Sequence, residues 1–87
     1  MTNPFININS VSISINKSSL LTDVAWKRNG RSTTDPKGNL IITFIKGEKY
    51  EYIDVPSSVL QKMLLAESIG KFFHDNIKDQ YTAYKEL

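Results

Sequence analysis

The chain has 87 residues, a length that suits one domain with a small core. Apolar residues make up 40% of it and charged residues 23%, values that are typical of a globular domain and argue against wholesale disorder. Cysteine is absent, which excludes disulfides and thiolate catalysis, and the formal net charge of +2 is too small to indicate nucleic-acid binding by itself.

The N-terminal segment FININSVSISIN alternates apolar and polar residues, as a half-buried strand does. Its apolar residues fall at even numbers up to Ile8 and at odd numbers from Val11, so we expect two short strands or one bulged strand near Asn9 and Ser10. An uncovered edge of this kind can pair with a second chain. A homodimer through the N-terminal strand is therefore one hypothesis.

A second strand is predicted around Val24 and Trp26, and the polar stretch of residues 29–39 then interrupts it. Within that stretch, Asp35-Pro36-Lys37-Gly38 is typical of a turn, because proline fixes φ and glycine accepts positive φ. A loop of this length is either a spacer or a binding loop. The first 38 residues hold five bases and two acids, so any electrostatic binding surface should lie in this half.

Residues 40–54, LIITFIKGEKYEYID, predict a hairpin that turns near Gly47. We favour a three-residue loop at 46–48 over a two-residue turn, because it pairs the two tyrosines with Phe44 and Ile42. One apolar face then carries Leu40, Ile42, Phe44, Tyr50 and Tyr52. Both tyrosines are accordingly interpreted as core residues and not as exposed stacking platforms.

Two helices are predicted after this hairpin. Pro56 suits the first turn of the first helix, and Asp54 is expected to accept a hydrogen bond from a backbone N–H at that helix start. Ser68 is predicted to cap the second helix. The tail continues at intervals of three with Tyr81, Tyr84 and Leu87, so it should also pack. The sequence thus predicts an α+β fold, a small antiparallel sheet of N-terminal strands and central hairpin packed against two C-terminal helices.

The side chains that could act in catalysis are not spaced in the sequence so as to form one site. His74 and Asp75 are neighbours on a predicted helix, where adjacent residues diverge by about 100 degrees. Ser57, Ser58 and Ser68 are better explained as helix-start residues than as nucleophiles. With one histidine and no cysteine, we expect no metal site, no cofactor and no enzymatic activity.

In these motifs the sequence resembles the KTSC domain, a module found at the C-terminus of some lysyl-tRNA synthetases and in small bacterial and phage proteins. The resemblance covers residues 18–87 and leaves 1–17 as an N-terminal β-rich extension of the same domain. The matching residues, in chain order, are Val24, Ala25, Trp26, Leu40, Ile42, Phe44, Gly47, Tyr50, Tyr52, Val55, Pro56, Val59, Leu64, Ala66, Ser68, Gly70, Phe72, Phe73, Ile77 and Tyr81. Of these, Phe44, Tyr50, Tyr52, Val55, Pro56, Phe72 and Phe73 are expected to form the structural core of the motif.

The KTSC family has no established activity, but its occurrence at the C-terminus of a lysyl-tRNA synthetase suggests that it binds RNA. We therefore expect a non-catalytic binding module associated with RNA or other nucleic acid, with candidate binding residues Trp26, Lys27, Arg28, Arg31 and Lys37. Trp26 would serve as a stacking platform. One alternative is a phage or mobile-element protein that inhibits a host protein by direct interaction, and another is a small protein that sequesters a nucleotide. No apolar run is long enough to span a membrane and no signal peptide opens the chain, so a cytoplasmic protein is expected.

Overall fold

The computed structural model describes residues 8–16, 18–30 and 34–86. In those ranges, five strands form one antiparallel sheet whose spatial order follows the chain. The elements are β1 (Ser10–Ser14), β2 (Leu21–Asn29), β3 (Lys37–Phe44), β4 (Lys49–Pro56), α1 (Ser57–Leu65), α2 (Ile69–Asn76) and β5 (Ala83–Glu86). The predicted α+β class is confirmed. The first half of the predicted N-terminal strand, residues 1–7, lies outside the described residues.

The core lies between one face of the sheet and the two helices. Side chains on a strand alternate between faces, so from Val24 onward the even-numbered residues of β2 and β3 point toward the helices and the odd-numbered ones toward the opposite, open face. An irregularity between Leu21 and Asp23 places the odd-numbered Leu21 in the core as well. The buried apolar residues are Leu21, Val24, Trp26, Leu40, Ile42, Tyr52, Val55, Leu60, Met63, Phe73 and Ile77. Val11 and Ile15 in and beside β1 pack against this cluster, so β1 is part of the same core.

The predicted apolar face of the hairpin is confirmed, but its register is wrong by two residues. Tyr50 lies opposite Ile42 and Tyr52 opposite Leu40, and the loop is Ile45, Lys46 and Gly47. The Phe44 N–H donates to the Glu48 carbonyl oxygen at 2.8 Å, which closes the loop one residue earlier than expected. A shift of two residues keeps every side chain on its face, so the apolar pattern does not distinguish the two registers.

Strands β2 and β3 extend further than predicted into the polar stretch. Arg28 pairs with Gly38 and Asn29 with Lys37, so the connection comprises residues 30–36 only. A Cβ atom at position 38 would clash with the Trp26 indole and the Lys27 carbonyl oxygen. Gly38 is therefore required by close packing in a strand and not by a turn, which is why the turn prediction was wrong there.

A β-bulge in β4 directs one even-numbered and one odd-numbered residue of this strand into the core. Leu40 pairs with Tyr52 while Gly38 pairs with Val55, so β4 has one extra residue between these pairs. Asp54 occupies the bulge with φ of 56°, a left-handed conformation that aspartate accepts more readily than most residues. The bulge turns both Tyr52 and Val55 toward the helices.

The start of α1 is held by Asp35 and not by Asp54, so that prediction was wrong. The Ser58 N–H donates to Asp35 Oδ1 at 3.0 Å, the Ser58 hydroxyl donates to Oδ2 at 2.7 Å, and the Ser57 hydroxyl donates to Oδ1 at 3.0 Å. Burial works to raise the pKa of Asp35, but hydrogen bonds from Ser58 and Ser57 and the charge of Lys37 outweigh it, and the pKa lies below its usual value.

The second helix begins as predicted and is followed by a strand that was not. The Ser68 hydroxyl accepts a hydrogen bond from the Lys71 N–H at 3.2 Å, which confirms Ser68 as the N-cap of α2. After α2 the chain returns to the sheet, and β5 pairs with β4. Tyr81 packs against the core, whereas Tyr84 is 62% exposed. The expectation that the tail packs therefore holds for Tyr81 and is wrong for Tyr84, and Leu87 lies outside the described residues.

Candidate functional site

Three of the predicted binding residues lie where β2 ends and β3 begins; we call Lys27, Arg28 and Lys37 the basic corner. Arg28 pairs with Gly38 and so lies on the opposite face of the sheet from the two lysines. Lys27 lies opposite Asn39, and Lys37 lies opposite Asn29. The two lysines are thus diagonal neighbours on adjacent strands, with Cβ atoms about 7–8 Å apart, and both point to the open face. Both are exposed, and Arg28 is half-buried. Arg31 lies outside the described residues.

A shallow cleft adjoins the basic corner. It encloses about 410 Å³ and is lined by Asn9, Ser10, Lys27, Arg28 and Gly30. The Arg28 N–H donates to the Asn9 carbonyl oxygen at 2.7 Å, which holds the start of β1 against the end of β2 and forms one wall. Amide, hydroxyl and cationic groups together can hold an anionic oxygen. The sequence prediction missed Asn9 and Ser10, although their position at the change of strand phase was a signal.

Acidic side chains border the basic corner on the β4 side. Asn29 Nδ2 donates to Asp54 Oδ1 and, at 3.1 Å, to Asn39 Oδ1. Asn39 Nδ2 in turn donates to Glu51 Oε2 at 2.8 Å. Near the basic corner the open face is therefore divided: Lys27 and Lys37 lie on β2 and β3, and Glu51 and Asp54 lie across the sheet on β4. At the other end of the same strands the signs are reversed, with Asp23 on β2 and Lys49 on β4. A polyanion lying on this surface would follow the β1 side and avoid β4.

Trp26 is not available to a ligand, so its prediction as a stacking platform is wrong. Its side chain is 1% exposed, faces the helices and lies over Gly38. The indole N–H donates to the Val55 carbonyl oxygen at 3.0 Å. Its even position on β2 and this buried hydrogen bond make Trp26 a core residue that ties β2 to the end of β4.

The structure places most of the predicted motif residues in or against the core. Phe44, Tyr50 and Phe72 pack against the buried cluster, to which Tyr52, Val55 and Phe73 belong. Four of the rings form an edge-to-face chain, with centroids separated by 5.7 Å for Phe44–Tyr50, 5.4 Å for Phe44–Phe73 and 5.5 Å for Tyr52–Phe73. Pro56 is the residue before α1, with φ of −63° and ψ of 146°. It ends β4 and immediately precedes the helix, one position earlier than predicted.

His74 lies on the surface of α2. Its Nδ1 atom is 3.3 Å from Asp75 Oδ1, and both side chains are more than half exposed. Across residues 8–16, 18–30 and 34–86, no three histidine, aspartate or glutamate side chains are arranged to hold a metal ion. Neither helix in the described part of the chain is long and apolar enough to cross a membrane.

The fold defines a class of small α+β domains in which a sequential antiparallel sheet is covered on one face by a helix pair. The chain belongs to the KTSC domain family, whose sequence pattern matches residues 17–81. It is similar to the crystal structure of a KTSC domain protein from Yersinia pestis, with 25% sequence identity and a TM-score of 0.72 over 90% of this chain and 99% of that one. No curated protein matches the sequence.

Proposed function

We propose that the chain is a cytoplasmic, non-catalytic module that binds single-stranded nucleic acid at the basic corner. The observation that carries this proposal is the placement of Lys27 and Lys37 as exposed diagonal neighbours on the open face, beside a shallow cleft. Two cations at this spacing can contact phosphates along one strand, and the release of counterions from those phosphates would drive binding.

The flanking groups support the same orientation. Ser10 and Ser12 on β1 are exposed on the open face and supply hydroxyl donors in line with Lys27. Glu51 and Asp54 bound the other side and would repel a phosphate backbone. The predicted path therefore runs along β1 and β2, past the ends of β2 and β3.

The test is binding of a fluorescently labelled single-stranded RNA at several salt concentrations. Lys27→Glu combined with Lys37→Glu should weaken binding at least tenfold and reduce the slope of log affinity against log salt by about 0.7 for each phosphate that the variant no longer neutralises. Lys46→Glu combined with Lys62→Glu changes the net charge equally, in the hairpin loop and on α1, and should have a much smaller effect. Absence of binding at low salt, or equally weakened binding by the two double variants, would contradict the proposal.

A further inference from the structure

A second surface lies at the other edge of the sheet, where α2 faces β4 and β5. A groove of about 410 Å³ opens there. Its floor consists of Leu20, Phe44, Tyr50, Tyr52 and Phe73, and its rim carries Glu48, His74, Lys78, Asp79 and Ala83. The groove shares no residue with the basic corner, so a ligand bound in it would serve a role beyond the function proposed for that corner.

The Tyr52 hydroxyl gives this apolar groove a hydrogen-bond donor. Tyr52 is 4% exposed and its ring is fixed against Phe73. Every buried side-chain nitrogen or oxygen of the described residues has a hydrogen-bond partner, so the Tyr52 hydroxyl, which bonds to none of those residues, is not fully buried, and Tyr52 lines the groove. Burial raises the pKa of Tyr52, with smaller contributions from Tyr50 and Asp79, so the hydroxyl stays protonated at neutral pH. An acceptor on a ligand in the groove could accept a hydrogen bond from this hydroxyl.

β5, the strand beside the groove, has backbone N–H and C=O groups that point away from β4. The Ile53 N–H donates to the Thr82 carbonyl oxygen at 2.9 Å, so Thr82 faces β4. Residues of an antiparallel strand alternate in this respect, so Tyr84 and Glu86 also face β4 while Ala83 and Lys85 direct their N–H and C=O groups outward. No described strand lies beyond β5, and all four of its residues are exposed.

The side chains of β5 define what an added strand would carry. Ala83 is small and lies opposite Tyr52, so a residue placed beside Ala83 can extend a large side chain over it into the aromatic groove. Lys85 lies two positions along on the same face, where its Nζ is 3.1 Å from Glu48 Oε2. A residue beside Lys85 would meet this ion pair, whose ammonium group is half exposed, and a carboxylate there would be a second partner for Lys85.

We propose that β5 and the aromatic groove bind an extended segment of a partner polypeptide by strand addition. The segment places a large apolar or aromatic side chain bearing a hydrogen-bond acceptor in the groove, and an acidic residue two positions away beside Lys85. Backbone hydrogen bonds to Ala83 and Lys85 provide affinity, and the groove provides specificity.

The proposal is tested by selecting a phage-displayed library of random eight-residue peptides on the full chain. We expect enriched peptides to share a large apolar residue and an acidic residue two positions apart. A synthetic peptide of that consensus should protect the Ala83 and Lys85 amides from hydrogen exchange. No shared pattern, or protection elsewhere only, would overturn the proposal.

Matched variants separate the backbone from the side chains. Lys85→Pro and Lys85→Ala both remove the ammonium group, but only proline removes the outward N–H, and proline is tolerated on an edge strand at such a position. Peptide affinity should fall about tenfold more for Lys85→Pro than for Lys85→Ala, and several-fold for Tyr52→Phe, at unchanged unfolding midpoints. Equal affinities for the two Lys85 variants would overturn strand addition, as would a peptide-free dimer that Lys85→Pro dissociates, which would assign β5 to a second copy of the chain.

The two binding surfaces are distinguished by testing the variants of each surface for binding of the other ligand. Lys85→Pro should leave RNA binding unchanged, and Lys27→Glu combined with Lys37→Glu should leave peptide binding unchanged. The loss of one activity therefore does not decide the other.

Discussion

At the scale of single residues, the position of a residue on its strand determines which face of the sheet its side chain lies on. Trp26 and Lys27 are neighbours, yet one is 1% exposed in the core and the other is exposed beside the cleft. The alternation of β2 was readable from the sequence and separates the two, but the prediction placed both in the binding surface, which was wrong for Trp26. The burial of Trp26 depends in addition on Gly38, which lies on another strand and leaves room for the indole. That pairing across strands could not be read from local pattern.

The cap of α1 by Asp35 is another contact that could not be read from the local sequence pattern. Asp54 was the nearer acid in sequence, but the bulge directs it toward Asn29, and Asp35 reaches Ser57 and Ser58 from 22 and 23 residues away. A capping residue so distant in sequence leaves no local signature. The serines themselves were correctly interpreted as helix-start residues.

The Asp35 cap gives a prediction on acid stability. The folded-state pKa of Asp35 lies below the usual 3.8, so its stabilising contribution is present above that pH and is lost as the pH falls through the lower, folded-state pKa. Asp35→Asn should lower the free energy of unfolding by about 1 kcal/mol at pH 7, because the neutral amide is a weaker acceptor for three donors.

Urea denaturation of both proteins from pH 7 down to pH 2 measures this effect. The difference between wild type and Asp35→Asn should shrink as the pH falls below about 4, because Asp35 of the unfolded state then takes up a proton, and should be lost once the pH is below the lower pKa of the folded state. A difference that stays constant across this range would show that the charge of Asp35 has no role in capping.

At the scale of elements, the hairpin and both helices were predictable because each has a strong local pattern. The apolar alternation of residues 40–44 and 50–52 identified the buried face, and Ser68 marked the start of α2. β5 was missed because its four residues are all exposed, so it has no buried face to produce an alternating pattern. Its pairing with β4 is a tertiary contact that crosses both helices in sequence.

The bulge in β4 allows a prediction that separates strain from hydrogen bonding. Asp54→Gly and Asp54→Ala both lose the hydrogen bond from Asn29, but only alanine keeps a Cβ at a φ of 56°. The alanine variant should therefore be about 1 kcal/mol less stable than the glycine variant. Their unfolding midpoints in urea provide the measurement, and equal midpoints would mean that the left-handed conformation is not kept in solution.

At the scale of the whole molecule, the N-terminal segment is integral to the sheet. β1 pairs with the full central part of β2, from Asp23 to Lys27, and Val11 and Ile15 contact the core. Residues 1–17 lie almost wholly before the match to the family pattern, which begins at residue 17. The predicted β character of this segment is confirmed for residues 10–14, whereas a homodimer through it remains a prediction.

Deletion of residues 1–17 should destabilise the chain and promote self-association. It removes the apolar contacts of Val11 and Ile15 and exposes the backbone edge of β2. We expect a lower urea midpoint and a rise in mass by light scattering as concentration increases. Deletion of residues 1–7 is the control, since it leaves β1 in place. If the longer deletion yields a monomer of unchanged stability, β1 is dispensable to the fold.

The sequential order of the strands also bears on how the chain folds during synthesis. Every strand pairs with its neighbour in the chain, so β1 to β4 can associate as they emerge from the ribosome. The apolar face of this nascent sheet has no cover until residues 57–77 are made, which at about 5–20 residues per second takes on the order of seconds. In that interval Trp26, Leu40 and Ile42 face water, and the unfinished protein is a natural client for a chaperone that binds exposed apolar strands.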